Sequence, residues 1–161
     1  MMEQLTPIVF KKLISKRLKP LGFELKSSTW VKHQEDSIIG VNLQRSMYSS
    51  MHFLNFFIWF PQITQREFLG YLKGCFHLNS RGVASRISVR DNFLLLDGRL
   101  VEIEEFESEF EEIFLFSEIL IKLFEYSRLD AVGHFSINDY EEETGFHASS
   151  ELANYLKKAI Y

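Results

Sequence analysis

Residues 38–60, IIGVNLQRSMYSSMHFLNFFIWF, set up an apolar rhythm interrupted at regular places by amides and hydroxyls. Val41 and Leu43 alternate with Asn42, Gln44 and Ser46, the period-two pattern of a strand with one dry face and one polar face. In the next run Phe53, Asn55, Phe57 and Trp59 fall on one face, and Leu54, Phe56, Ile58 and Phe60 on the other. A strand that is apolar on both sides is normally covered on both, so these two runs predict the middle of a sheet.

The pattern extends in both directions. Thr6-Pro7 reads as a cap with proline in the first turn, and Val9, Phe10, Leu13, Ile14 and Leu18 form an apolar stripe that stops before Pro20, predicting a first helix. Strands are expected at 23–27, 29–34, 38–46 and 52–60, with turns at Glu35-Asp36 and Ser49-Ser50, an antiparallel meander. Thr64 and Glu67 have capping-box spacing ahead of Phe68, Leu69 and Leu72, with Gly74 placed to end a short helix. Val83, Ser85, Ile87 and Val89 alternate with Ala84, Arg86, Ser88 and Arg90, and Asp91-Asn92 turns the chain into Phe93 to Leu96, a second hairpin.

Helical spacing returns at Phe106, Phe110, Ile113, Phe114, Leu120, Leu123 and Phe124, predicting a long helix over 104–127. Leu152, Tyr155, Leu156 and Ala159 make a closing helix capped by Ser149 or Ser150. The fold class is therefore α+β: a central antiparallel sheet, meander plus hairpin, with helices packed mainly on one face.

Several of these residues come in a recognisable order. Leu21-Gly22-Phe23 follows a basic helix, Trp30 comes next, then Val41-Asn42-Leu43-Gln44-Arg45-Ser46, Phe53 and Asn55. Together they resemble the bacterial family known as the domain of unknown function DUF4304. The resemblance covers the first half of the chain, with a weaker continuation at Arg81 and Arg86-Ile87. The chain departs where such proteins carry a paired tryptophan, because Phe93-Leu94-Leu95-Leu96 stands there. The family has no agreed activity, so the resemblance implies a mixed α and β domain and no reaction.

Composition sets the class. A chain of 161 residues with 46% hydrophobic and 25% charged positions can bury one sizeable core, which predicts a single globular domain over 1–161. The single Cys75 excludes an intramolecular disulfide and suits a reducing compartment. The start, MMEQLTPIVFKK, lacks the apolar run of a secretory signal. Ile113 to Phe124 is broken by Ser117, Glu118 and Lys122 and falls short of the roughly 20 residues of a bilayer span. A soluble cytoplasmic protein with no membrane partner is expected.

Charge is strongly segregated along the chain. Residues 1–101 hold 14 Lys and Arg against 7 Asp and Glu, whereas residues 102–143 hold 2 against 14. Glu102, Glu104, Glu105, Glu107, Glu109, Glu111 and Glu112 crowd the start of the predicted long helix, and Asp139, Glu141, Glu142 and Glu143 fall in a predicted loop. Like charges at helical spacing repel, and placement at a helix N-terminus offsets part of that cost. A solvated helix face accounts for the pattern as well as a partner-binding surface does; the second would attract a basic protein and speed encounter. Lys12, Lys16 and Lys19 share a face of the first helix, with Lys11, Arg17 and Lys26 nearby. A solvated face is the ordinary account of these lysines, and with a net charge of −4 and no nucleic-acid motif, no nucleic-acid partner is expected.

The residues point away from catalysis. Cys75 and His77 would share a side of an extended chain, but no third group orients them in the sequence, and a buried cysteine with an incidental histidine is the better account. His33, His52, His134 and His147 match no zinc spacing, and the glycines are too dispersed for a phosphate loop, so neither a metal nor a cofactor is expected. Gln44, Arg45, Ser46 and Asn55, with Arg86, could line a small-molecule pocket on the sheet; hydrogen bonding within the sheet explains the same residues more simply. Sixteen phenylalanines exceed what one small core obviously requires, and Met47, Tyr48, Met51 and Phe60 near strand ends would suit a contact surface. In a homodimer these aromatics would be the interface.

Two functions follow as expectations. The first is a non-catalytic protein-binding module, specifically an immunity protein that neutralises a cognate basic toxin through the acidic surface of Glu104, Glu105, Glu107, Glu109, Glu111, Glu112, Glu141, Glu142 and Glu143. The second is a small-molecule binder or enzyme using the polar stripe of Gln44, Arg45, Ser46, Asn55 and Arg86.

Overall fold

The computed structural model describes residues 7–45, 51–64, 66–81, 85–90, 93–96, 99–102, 116–132 and 146–160. The first helix, α1 (Pro7–Leu18), runs into a 3-10 turn at Lys19–Leu21. Pro20 has no N–H to continue the α-helical ladder, and Gly22 at φ 94° closes the turn by donating its N–H to the Lys19 carbonyl. The chain then forms β1 (Glu24–Lys26), β2 (Thr29–His33), β3 (Ile38–Arg45) and β4 (Met51–Trp59), each antiparallel to the one before. This is the expected meander, and β3 and β4 are its longest strands.

The far edge of β4 is shared by two partners. Its end pairs with β5 (Leu78–Arg81), and its start pairs with β6 (Ser85–Arg90). Asn55 pairs with Arg81 and His52 with Ser85, so β4 advances three residues while its partner chain advances four. That one-residue offset exchanges the faces, because side chains alternate with a period of two. In register, Arg81 of β5 stands opposite Asn55 and Arg86 of β6 opposite Met51. The sheet continues through β7 (Phe93–Leu96) and β8 (Arg99–Glu102), and β9 (His147–Ala148) pairs with β5. All nine described strands are antiparallel.

Helices cover one face. Ile14 and Leu18 of α1, Phe116 and Leu123 of α2 (Phe116–Glu125), Val132 of α3 (Leu129–Val132), and Leu152 and Leu156 of α4 (Ser150–Ile160) are buried in one cluster. The sheet meets them with Trp30, Ile39, Val41, Leu54, Phe56 and Ile58. Trp30 also donates from Nε1 to Ser15 Oγ at 2.8 Å, which satisfies the indole inside the core. The β2–β3 turn locks the helical layer: Ser37 donates to the carbonyl of Ser127 at 2.7 Å, and Asp36 accepts from the N–H of Leu129 at 3.3 Å. At α4 the cap is Ser149, whose Oγ accepts from the Leu152 N–H at 3.2 Å. Strands in a meander with helices on one side make the chain α+β.

The short helix expected after Thr64 does not form. Gly70 lies at φ 105°, outside any helix, and only a 3-10 turn at Tyr71–Lys73 follows, closed by Gly74 at φ 76°. Thr64 instead accepts from the N–H of Arg66, two residues on, at 3.2 Å. The predicted stripe comes apart: Phe68 packs inward, while Leu69 and Leu72 are 65% and 71% exposed. Of the helix expected over 104–127, Phe116–Glu125 is helical, and 103–115 lies outside the described residues. Thr6, Ser46 to Ser50, Asp91, Asn92, His134 and the acidic residues from Glu104 to Glu112 and from Asp139 to Glu143 also lie outside them. Among the described residues no helix is long and apolar enough to cross a membrane.

Candidate functional site on the second face of the sheet

The face turned away from the helices carries the polar positions of β3 and β4. Register places Asn42 opposite Asn55 and Gln44 opposite Phe53. Asn55 Nδ2 donates to Asn42 Oδ1 at 3.3 Å and to Gln44 Oε1 at 3.1 Å, and Asn42 Nδ2 donates to Thr29 Oγ1 at 2.8 Å. The amides therefore tie β2, β3 and β4 together side by side. Asn42 and Asn55 are both buried, and among the described residues Asn55 Oδ1 has no partner. Such an orphaned acceptor costs more than an apolar atom in its place.

The structure brings together Gln44 and Asn55 of the expected stripe. Arg45 occupies the alternate register position, opposite His52, and Arg86 sits opposite Met51 in β6. Ser46 lies outside the described residues. The acidic residues Glu104, Glu105, Glu107, Glu109, Glu111, Glu112, Glu141, Glu142 and Glu143 lie outside them as well.

Beside the amides, the segment after β4 folds back over the same face. Phe68 stacks on Phe57 at 6.1 Å and 15° between planes, and Tyr71 packs on Phe57 at 5.2 Å. Ile38, Trp59 and Cys75 form a small second core there, with Val31 and Phe68 against it. Cys75 Sγ accepts from the N–H of Leu69 at 3.2 Å and donates to the carbonyl of Glu67 at 3.8 Å. The thiol is thus a buried fastener for the loop.

His77 is fully buried and lies flat on Trp59, centroids 4.3 Å apart and planes 8° apart. Its Nδ1 accepts from the N–H of Phe60 at 2.8 Å. A backbone N–H can only donate, so Nδ1 is the bare nitrogen and Nε2 carries the proton, which it gives to Glu151 Oε1 at 2.9 Å. Glu151 comes from the first turn of α4, and Arg66 reaches the same oxygen at 3.0 Å while its guanidinium lies 5.2 Å over the Trp59 ring. Glu151 and Arg66 are thus the orienting groups that the local sequence around His77 does not display; they stand 74 and 11 positions away in the chain.

Burial disfavours the imidazolium and pushes His77 below the usual histidine value, against the pull of the Glu151 carboxylate. Burial also lifts Glu151, but hydrogen bonds from His77, Arg66 and Thr64 outweigh it and hold the carboxyl below its usual range. With both ring nitrogens committed, His77 has no lone pair to offer a substrate, and the triad acts as a clasp between the sheet and α4. Among the described residues no three His, Cys, Asp or Glu side chains group to hold a metal ion.

A groove of about 510 Å³ opens at the edge of this face, between the β1–β2 hairpin and the loop around Gly70. Lys26, Ser27, Thr29 and Val31 form one wall; Phe68, Leu69, Leu72 and Lys73 form most of the other. Ser27 stands at φ 61°, the left-handed value that a two-residue hairpin loop demands and that glycine or asparagine usually supplies. The sequence signal for this groove was present but ambiguous: Leu69 and Leu72 flank a glycine, which a helical stripe does not favour.

No curated protein and no solved structure matches the chain. A family model does match residues 14–81, which run from the middle of α1 to the end of β5 and contain the amide cluster, Cys75, His77 and both walls of the groove. Over those residues the chain is similar to the domain of unknown function DUF4304.

Proposed function

We propose that the protein is a non-catalytic binding module of the bacterial cytoplasm, and in its most specific form an immunity protein that neutralises a cognate toxin by covering its surface. The observation that carries this reading is the charge segregation: residues 102–143 hold 14 carboxylates against 2 cations, while the remainder of the chain is cationic. Toxins that cut nucleic acid need cationic active sites, and a dense run of carboxylates is complementary to such a surface. The interior chemistry is consistent with binding, because Cys75, His77 and Glu151 each hold hydrogen bonds that the fold uses. Asn55 Nδ2 is likewise spent on the carbonyl oxygens of Asn42 and Gln44, and Asn42 Nδ2 on Thr29.

The test starts from affinity capture of the tagged protein from its host, followed by titration of the captured partner. The expected partner is a stoichiometric basic polypeptide released by high salt. Replacing Glu107, Glu109, Glu111 and Glu112 with lysine abolishes its binding. Unchanged affinity of that variant removes the acidic segment from the reading.

A further inference from the structure

The groove between the β1–β2 hairpin and the Gly70 loop has a chemistry different from that of the acidic segment, and it lies inside the described structure. Its volume of about 510 Å³ falls in the range of small-molecule sites, roughly 300 to 1,000 Å³. Its lining is mainly apolar: Val31 and Phe68 belong to the small second core, and Leu69 and Leu72 stand exposed at 65% and 71%. Two large leucines left in water along one loop forgo burial worth on the order of a CH₂-by-CH₂ transfer each, which an apolar ligand body would recover.

The polar part of the lining has a single sign. Lys26 stands on one wall and Lys73 on the other, and among the described residues no aspartate or glutamate lines the groove. Neither lysine forms an ion pair among the described residues. The hydroxyls of Ser27 and Thr29 lie on the Lys26 wall, and Thr29 is held in place by Asn42 at 2.8 Å. The base is rigid too, since Phe68 and Tyr71 both pack on the buried Phe57. Apolar walls with two lysines that are unpaired among the described residues match a ligand with an apolar body and an anionic head.

We infer that this groove binds a small amphipathic monoanion, an aliphatic or aryl-alkyl carboxylate, with its tail along Val31, Phe68, Leu69 and Leu72 and its carboxylate between Lys26 and Lys73. This goes beyond the acidic-segment reading and stands or falls independently of it. Both could hold at once, since the groove lies wholly between residues 26 and 73.

The experiment is calorimetric titration of the full chain with decanoate, 1-decanol and decylammonium, all below their micellar concentrations. Decanoate is expected to bind saturably at one site, with decanol and decylammonium at least tenfold weaker. The double variant Lys26→Gln/Lys73→Gln lowers decanoate affinity about tenfold and leaves decanol unchanged, as expected for loss of a charged hydrogen-bond partner. Leu72→Asp, a change at an exposed position, weakens all three. The pair Lys11→Gln/Lys16→Gln, on α1 and away from the groove, leaves decanoate binding as it was. Absence of saturable decanoate binding, equal affinity for the three head groups, or full affinity in the Lys26/Lys73 variant each overturns the assignment.

Discussion

The ring of Phe57 occupies the space that a Cβ on Gly40 would need. The two residues face each other across the β3–β4 ladder, and a Cβ built on Gly40 would overlap Phe57 Cζ and stand 2.7 Å from the Trp30 carbonyl oxygen. The glycine therefore lets an aromatic ring lie flat against the strand, and that ring is the base on which Phe68 and Tyr71 pack. Gly40→Ala is expected to destabilise the protein by about 3 kcal/mol, at the upper end for overpacking, because one of the two clashes is with backbone. Adding Phe57→Leu restores part of the loss by removing only the ring clash. Urea denaturation of the two variants checks this, and an unperturbed midpoint in Gly40→Ala would contradict it.

His77 makes stability depend on pH. Its folded pKa lies below the unfolded value of about 6.5, so below that pH the unfolded chain takes up a proton that the folded chain refuses. Stability is complete above about pH 6.5 and declines as the pH falls through the window between that value and the folded pKa. Glu151, also lowered on folding, adds a loss of the same sign at more acid pH. Ring resonances of His77 followed by NMR should titrate below the ordinary histidine range, and titration above it would refute the assignment of the neutral Nε2–H form.

The amide cluster predicts strong coupling between two substitutions. Asn55→Leu alone leaves Asn42 Oδ1 and Gln44 Oε1 without their donor and should cost about 1 to 3 kcal/mol. Asn42→Leu alone strands the Asn55 amide to a similar degree. The double variant should be markedly less destabilised than the sum, because two facing leucines leave no buried partner of that pair unpaired. Additive losses in a double-mutant cycle would show that the two amides act independently.

Ser27 holds a left-handed backbone without being glycine. Ser27→Gly relieves that conformation at the cost of chain entropy, for a net gain of about 0.5 kcal/mol, whereas Ser27→Val should lose about 1 to 2 kcal/mol because a branched Cβ is most hindered there. Thermal unfolding of both variants gives the sign directly. A valine variant as stable as the wild type would mean that the hairpin does not hold this conformation in solution.

Local pattern was enough to place α1, the four meander strands, the β6–β7 hairpin and the final helix, because each carries its own period and its own stop signal. Pro20, Gly22 and Ser149 end or begin elements through bonds within a few residues of themselves, and such bonds are written in the neighbouring sequence. The same was true of Asn42 and Asn55 as polar positions on an otherwise apolar face. Tertiary structure alone decided what those residues touch. Leu78–Arg81 became a strand because β4 had an unpaired edge, and Thr64 to Gly74 lost its helix because Phe68 packs on Phe57 and Trp59 while Gly70 takes an extended backbone at positive φ. The partners of His77 arrive from Phe60 and α4, with Arg66 bonded to the same Glu151, and the groove exists only where the β1–β2 hairpin meets the distant loop at Phe68 to Lys73. A sequence encodes periodicity within an element; which side chains meet between elements depends on register and on the packing of surfaces far apart in the chain.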